Sequence, residues 1–268
     1  MNNPVQSFYD EQALTEWERF IRHRTEFAMT KRALAEYLPP PPARILDCGG
    51  GPGRYAIHLA QLGYQVTLLD LSANNLALAH EKAQDAGVHL AEYVHGNALD
   101  LSRFAGGTFD AVLLLGPLYH LTNEEDRRQA VHEARRVLKP GGPLFAAFIT
   151  LYAPLRDAIA KGYMKQVKDK PETLSFLMGT HTTSKAHSPN EGFTEAWFTP
   201  PAEVRPFMES CGLRTLRVMG VEGLAAGHEK HLNAADDETF AFWTDLIYPL
   251  AEDPHVLGAS DHLLYVGE

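Results

Sequence analysis

The run Arg44-Ile45-Leu46-Asp47-Cys48-Gly49-Gly50-Gly51-Pro52-Gly53-Arg54-Tyr55 constrains this chain more than any other stretch. Ile45 and Leu46 form a short apolar run that reads as a buried strand. The strand stops at an acid, passes through a glycine-rich turn and opens into Tyr55-Ala56-Ile57-His58-Leu59-Ala60, which has helical spacing. Strand, glycine turn and helix in that order aim backbone N–H groups at a polar or anionic ligand from a helix N-terminus. Glycine is needed there because a Cβ would obstruct both the tight turn and the ligand. Asp47 stands out, because a loop that only cradles an anion has no use for a carboxylate.

The same alternation continues. Residues 65–70 read as a second strand, and Leu71-Ser72 cap a helix that runs to Gly87. A third strand is expected over 90–95 and a fourth over 109–115, set between Gly106-Gly107 and Gly116-Pro117. A helix over 123–138 then leads through Lys139-Pro140-Gly141-Gly142 into a fifth strand over 144–149. Further on, the pattern predicts a helix over 201–211 stopped by Gly212, a strand over 213–221, a helix over 236–250 and a last strand over 262–266. Ahead of the first strand, residues 5–38 carry apolar side chains at roughly helical intervals until Pro39-Pro40-Pro41-Pro42 forces an extended lead-in. Strands alternating with helices give an α/β fold with an open, mostly parallel sheet. Between 150 and 190 no period is sustained.

With 268 residues, one large domain carrying a lid is expected rather than two equal domains. The net charge of −10 argues against a nucleic-acid backbone or an anionic membrane as main partner, since both favour a basic footprint. Cys48 and Cys211 are the only cysteines, too few and too far apart for a disulfide framework or a thiolate zinc cage. The start, Met1-Asn2-Asn3-Pro4, lacks the layout of a signal peptide, and no apolar run approaches a membrane span. A cytoplasmic location is expected, and no metal motif is present.

Asp47, Gly49, Gly51 and Gly53 fit D-x-G-x-G-x-G, which resembles motif I of the class I S-adenosylmethionine (SAM) methyltransferases. The fourth strand, the helix ending Arg135-Arg136-Val137-Leu138 and the Lys-Pro-Gly-Gly turn resemble the small-molecule members of that family. The resemblance covers 43–150 well and 200–268 loosely. It implies a Rossmann-like, seven-stranded, mostly parallel sheet with helices on both faces and its seventh strand inserted antiparallel. It divides the chain into an N-terminal helical arm (1–42), a cofactor-binding core (43–150), a substrate lid inserted after strand five (151–200) and the remainder of the sheet (201–268).

That resemblance implies SAM as cofactor and S-adenosylhomocysteine as product. Asp47 and the glycine loop would hold the methionine end, and Asp70, with Leu71 beside it, the ribose. Asn97 and Ala98 would meet adenine, Asn97 standing where many relatives carry an acid. The Leu115 carbonyl would receive the amino group, with Tyr9 and Arg24 closing over it from the arm. Tyr119 and His120, on the rim after strand four, are the candidate catalytic residues, His120 as a proton acceptor. With them, Tyr152, Arg156, His181 and Trp197 are candidates for the substrate side, and His187 lies in the lid with His181. The implied acceptor is a small molecule attacked through oxygen, nitrogen, sulfur or carbon. Two other readings stand beside this one. Gly51-Pro52-Gly53-Arg54-Tyr55-Ala56 also fits the G-x-G-x-x-A of nicotinamide-dependent oxidoreductases. A catalytically silent SAM-fold binding protein is the other. Oligomeric state is not set by the sequence.

Overall fold

The computed structural model describes residues 4–163, 165, 168–169, 182–183 and 194–268. Five parallel strands open the sheet: β1 (Arg44–Cys48), β2 (Gln65–Asp70), β3 (Glu92–His95), β4 (Ala111–Leu114) and β5 (Leu144–Thr150), in spatial order β3-β2-β1-β4-β5. Two further strands, β8 (Thr215–Gly220) and β9 (His262–Gly267), complete it. β9 runs antiparallel to β5, with Leu144 opposite Gly267 and Ile149 opposite His262, and β8 pairs antiparallel with β9 on its other side. The sheet is thus the expected open, mostly parallel one, with its last strand reversed and inserted. A short extra pair, β6 (Thr182–Thr183) and β7 (Ala196–Thr199), lies outside that expectation. β7 adds to the tip of β5 through Ile149 and Thr150.

Side-chain alternation explains why this sheet is covered on both faces. Ile45, Ala111, Leu113, Phe145, Leu264 and Val266 point to one face. Leu46, Val112, Leu114, Ala146, Leu263 and Tyr265 point to the other. The first face packs against helices α2 (Arg24–Tyr37), α3 (Arg54–Gln61) and α4 (Ala73–Asp85), through residues such as Met29, Leu34, Leu59 and Ala79. The second packs against α6 (Glu124–Val137) and the helix Pro201–Ser210. α6 is well specified locally. Asn123 caps it by accepting the Glu125 N–H, acids fill its first turn and Arg135 and Arg136 its last, as the helix dipole favours.

The helical run over 5–38 is broken. It forms α1 (Pro4–Arg22) and α2, separated at His23, whose φ of −121° and ψ of 53° leave the helical region. The break lets α1 leave the sheet face and cross to α4, where Asp10 accepts from the Ser72 hydroxyl at 2.5 Å and its carbonyl from Asn74 at 2.9 Å. Strand four is shorter than its apolar run, because Phe109 bridges instead to Leu138. After it, α5 (Pro117–His120) is a single turn started by Pro117. Only the single helix α7 (Ala153–Ala160) follows β5 before the description becomes partial, so most of the lid, with His181 and His187, lies outside the described residues.

Candidate functional site

The C-terminal ends of β1, β2, β4 and β5 and the start of β9 meet at one edge of the sheet. α1 and α5 lie over that edge and enclose a cavity of about 650 Å³. Asp47, Gly49, Gly51, Asp70, Leu71, Asn97, Ala98, Leu115, Tyr9, Tyr119 and His120 all line it. Gly53 does not. It supports the loop from behind, at φ 80°, where a Cβ would stand 3.1 Å from Ala79 and 3.3 Å from Leu68. Gly50, outside the motif's spacing, is the more crowded position: a Cβ there would stand 2.5 Å from the Asp47 carboxylate and from Leu68.

The two acids have opposite surroundings. Asp70 is hydrogen-bonded throughout. Its Oδ2 accepts from the Gly51 N–H at 2.8 Å, and its Oδ1 from the Ser72 N–H at 2.9 Å and the Asn75 amide at 3.2 Å. Ser72 in turn caps α4 by accepting the Asn75 N–H at 3.1 Å. One carboxylate therefore ties the glycine loop to the helix after β2. Asp47 is fully buried, with only the Ala56 N–H close to its carboxylate, short of a well-formed hydrogen bond, and no cation beside it among the described residues. Burial, then the neighbouring Asp70 charge, raises its pKa to about 7, opposed by the Ala56 N–H.

Asn97 already accepts the Leu99 N–H on its side-chain oxygen, at 3.0 Å. A second lone pair on that oxygen and the amide N–H groups stay available to a ligand. His120 bridges two elements. Its Nδ1 lies 3.1 Å from the Glu195 carbonyl, so Nδ1 carries the proton and Nε2 accepts the Tyr9 hydroxyl at 2.7 Å. Burial lowers its pKa to about 4, with the Glu195 bond opposing, so the imidazole stays neutral near pH 7. Burial likewise holds the Tyr9 and Tyr119 phenols protonated. Tyr9→Phe is expected to weaken the tie between α1 and α5 by about 1 kcal/mol, read by chemical denaturation.

Four candidates stand elsewhere. Arg24 bonds the Ala235 carbonyl at 2.9 Å and Asp237 at 2.7 Å, stacked 4.0 Å over Phe240. Arg156 clamps Asp261 at 2.6 Å and the Gly258 carbonyl at 2.9 Å. The Arg127 guanidinium covers Trp197 at 4.1 Å. Tyr152 is exposed beside Gly258. None of the four lines the cavity. In their place the wall carries residues the sequence reading passed over: Glu16, Arg19, Glu26 and His262. The available signal was in the arm, where Glu16 and Arg19 sit at helical spacing beside Phe20, a charged pair on an otherwise inward face.

Comparison with known proteins agrees with this geometry. Residues 46–146 match the family described as a methyltransferase domain. The tRNA 5-carboxymethoxyuridine methyltransferase of Escherichia coli is 33% identical over 150 residues, 54% of this chain and 56% of that protein. The chain therefore spans little more than half the length of that relative. The ubiquinone biosynthesis O-methyltransferase of Xanthomonas axonopodis is 29% identical over 69% of this chain and 68% of its own. In fold, the chain is similar to 1,6-didemethyltoxoflavin-N1-methyltransferase of Burkholderia thailandensis, solved with that compound and S-adenosylhomocysteine. The TM-score is 0.58 at 13% identity, over 100% of this chain and 90% of the other.

The site suits SAM on its own terms. A buried carboxylate with no cation beside it calls for one, which the methionine end provides. Gly51 faces open space, with only the Asn75 amide within 4 Å of a Cβ built there, at 3.9 Å, so the backbone itself can approach the ligand. Residues 46–146 are thus a methyltransferase domain by family match, carried on the fold of the SAM-dependent methyltransferases.

Proposed function

We propose that the protein transfers a methyl group from SAM to a small-molecule acceptor. The observation that carries this reading is the size of the site and its cover by α1. A cavity of about 650 Å³, roofed by α1, lies within the range of small-molecule pockets, about 300–1,000 Å³. A base in a nucleic acid would have to enter beneath that helix, and the net charge of −10 opposes the approach of a phosphate backbone. No helix among the described residues is long and apolar enough to cross a membrane. The two buried free cysteines suit the reducing cytoplasm we assign to it.

SAM supplies a methyl group already activated on a sulfonium, which leaves the protein to bind, align and exclude water. In this reading Asp47 faces the cationic amino group, Asp70 the ribose hydroxyls, and Asn97 and Ala98 the adenine. Leu115 offers its carbonyl at the end of β4. Tyr9 closes the roof, and His120, neutral and committed to Tyr9, holds that roof in position. Tyr119 forms the wall on the acceptor's side.

Thermal-shift and calorimetric titrations test the assignment. SAM and S-adenosylhomocysteine are expected to bind with micromolar affinity and raise Tm, while NAD and NADP leave it unchanged. The opposite preference would return the glycine loop to a dinucleotide.

A further inference from the structure

Beyond its first turn, α1 brings Tyr9, Glu16, Arg19 and Phe20 to the cavity wall. Glu16 lies two helical turns, about 10 Å, along from Tyr9. Arg19 is already committed: it grips Glu26 of α2 with two hydrogen bonds, of 2.9 and 2.6 Å. His262, at the start of β9, is committed as well. Its Nδ1 lies 2.6 Å from Glu222 Oε1, in the turn after β8, and Glu222 Oε2 accepts from the Ser260 hydroxyl at 2.6 Å. Burial works against a charge on His262, but Glu26 and Glu222 outweigh it, Arg19 opposing, and raise its pKa to about 9. Two cations and two carboxylates therefore close on one another and leave no net charge for a ligand.

Glu16 stands outside that closed set. Among the described residues no hydrogen bond and no ion pair reaches its side chain. Burial raises its pKa and Glu26 adds to the rise, while Arg19, Arg22 and His23 oppose it. Arg19 is turned to Glu26, and His23 is taken by Glu229 at 2.9 Å. The Tyr9 phenol feels Glu16 more than any other charge, and the Tyr119 phenol feels it too, which puts the carboxylate near both rings.

A carboxylate half removed from water, with no cation bonded to it, gains most from a cation that arrives with a ligand. The cofactor does not supply it. Its ammonium group is met by Asp47 and the Leu115 carbonyl in the reading above, and Glu16 repels its carboxylate. Tyr9, Phe20, Tyr55 and Tyr119 line the same cavity, and aromatic faces beside an acid suit an organic cation. The net charge of −10 favours the approach of such a ligand over that of an acid.

We propose that Glu16 anchors an ammonium group of the acceptor, which makes the acceptor an organic amine rather than an acid or an uncharged molecule. The proposal rests on the methyl-transfer reading and names its acceptor class. An ammonium group has no lone pair, so the atom that takes the methyl group is a second, uncharged one in the same molecule. Glu16 fixes the charged end and leaves that second atom to face the sulfonium.

The test is calorimetry at neutral pH on protein saturated with S-adenosylhomocysteine. Three probes share one ring and differ in the charge of their tail: tyramine, 4-ethylphenol and 3-(4-hydroxyphenyl)propionate. Tyramine is expected to bind the wild type at least about tenfold more tightly than 4-ethylphenol, as one charge-assisted hydrogen bond allows, and the propionate most weakly. Glu16→Gln is expected to bind tyramine and 4-ethylphenol alike, and Glu16→Asp to keep part of the preference. Both variants are expected to hold S-adenosylhomocysteine as the wild type does. No preference for tyramine in the wild type, no binding of any probe, or an unchanged preference in Glu16→Gln overturns the proposal. So does a loss of S-adenosylhomocysteine affinity in Glu16→Gln, which would give the carboxylate to the cofactor. Failure of the wild type to bind S-adenosylhomocysteine would instead overturn the methyl-transfer reading beneath it.

Discussion

Asp70→Ala is expected to raise the Kd for SAM by at least ~100-fold, through the loss of two charge-assisted hydrogen bonds to ribose worth about 1.5–3 kcal/mol each. It is also expected to destabilise the protein without any ligand. The Gly51 N–H, the Ser72 N–H and the Asn75 amide all lose their acceptor at once. Each donor left buried and unpaired costs about 1–3 kcal/mol. The loop and the start of α4 will relax to recover part of that, so a loss of about 2–4 kcal/mol is expected in urea denaturation. Asp70→Asn keeps an acceptor for the loop and separates the two effects, retaining most of the stability while binding SAM poorly. Unchanged SAM affinity in both variants would remove Asp70 from the site.

The second large effect is a pH dependence of cofactor binding centred on Asp47. Its pKa of about 7 in the empty protein means that a proton occupies it over much of the accessible range. A cationic amino group binds the ionised carboxylate, so binding below pH 7 must first release that proton. Affinity for SAM should therefore fall by up to about tenfold per unit as pH drops below 7 and level off above it. Asp47→Asn should bind weakly at every pH and flatten the profile, as calorimetry between pH 5 and pH 8.5 would show.

The same shift has a stability consequence of definite sign. A carboxyl whose pKa is higher folded than unfolded holds more protons in the folded state, so stability declines as pH rises from the unfolded value towards 7. Each unit of that shift corresponds to about 1.4 kcal/mol. Without SAM, Asp47→Asn is expected to raise Tm at pH 8 and to change it little near pH 4. A Tm that falls at pH 8 would mean that Asp47 has a partner.

Much of this was legible in the residues because the signals were local. The strand, glycine turn and helix around Asp47 need only neighbours in sequence, and so do the Ser72 cap and the Asn123 cap. Asp70 was readable because a strand end in an open sheet is a position of known use. Its tie to Gly51 was not, since that bond joins two loops that only the β1–β2 register brings together. Gly50 was overlooked for a similar reason, as its crowding comes from the buried Asp47 carboxylate together with Leu68 of β2.

The arm and the far wall were the hardest to read. Period alone made 5–38 one helix, and the break at His23 follows from where α1 must go, not from a proline or glycine at that point. Arg19 and Glu26 neutralise each other across the break at His23, a pairing that one continuous helix would not suggest. Their companions, Glu222 and His262, arrive about 200 residues later on the reversed strand and the turn before it. His120 stands out by adjacency to β4, yet its hydrogen bonds to Tyr9 and Glu195 join segments 111 and 75 residues away that no local pattern connects.

α1 is fastened on both flanks of the crevice, by Asp10 to Ser72 and Asn74 and by Tyr9 to His120. Contents of the crevice are thereby covered from the α1 side, and leaving by that side waits on both fastenings letting go. Binding strength contributed by such a strap appears as a longer residence time and a lower koff, while the speed of capture stays where diffusion and orientation set it.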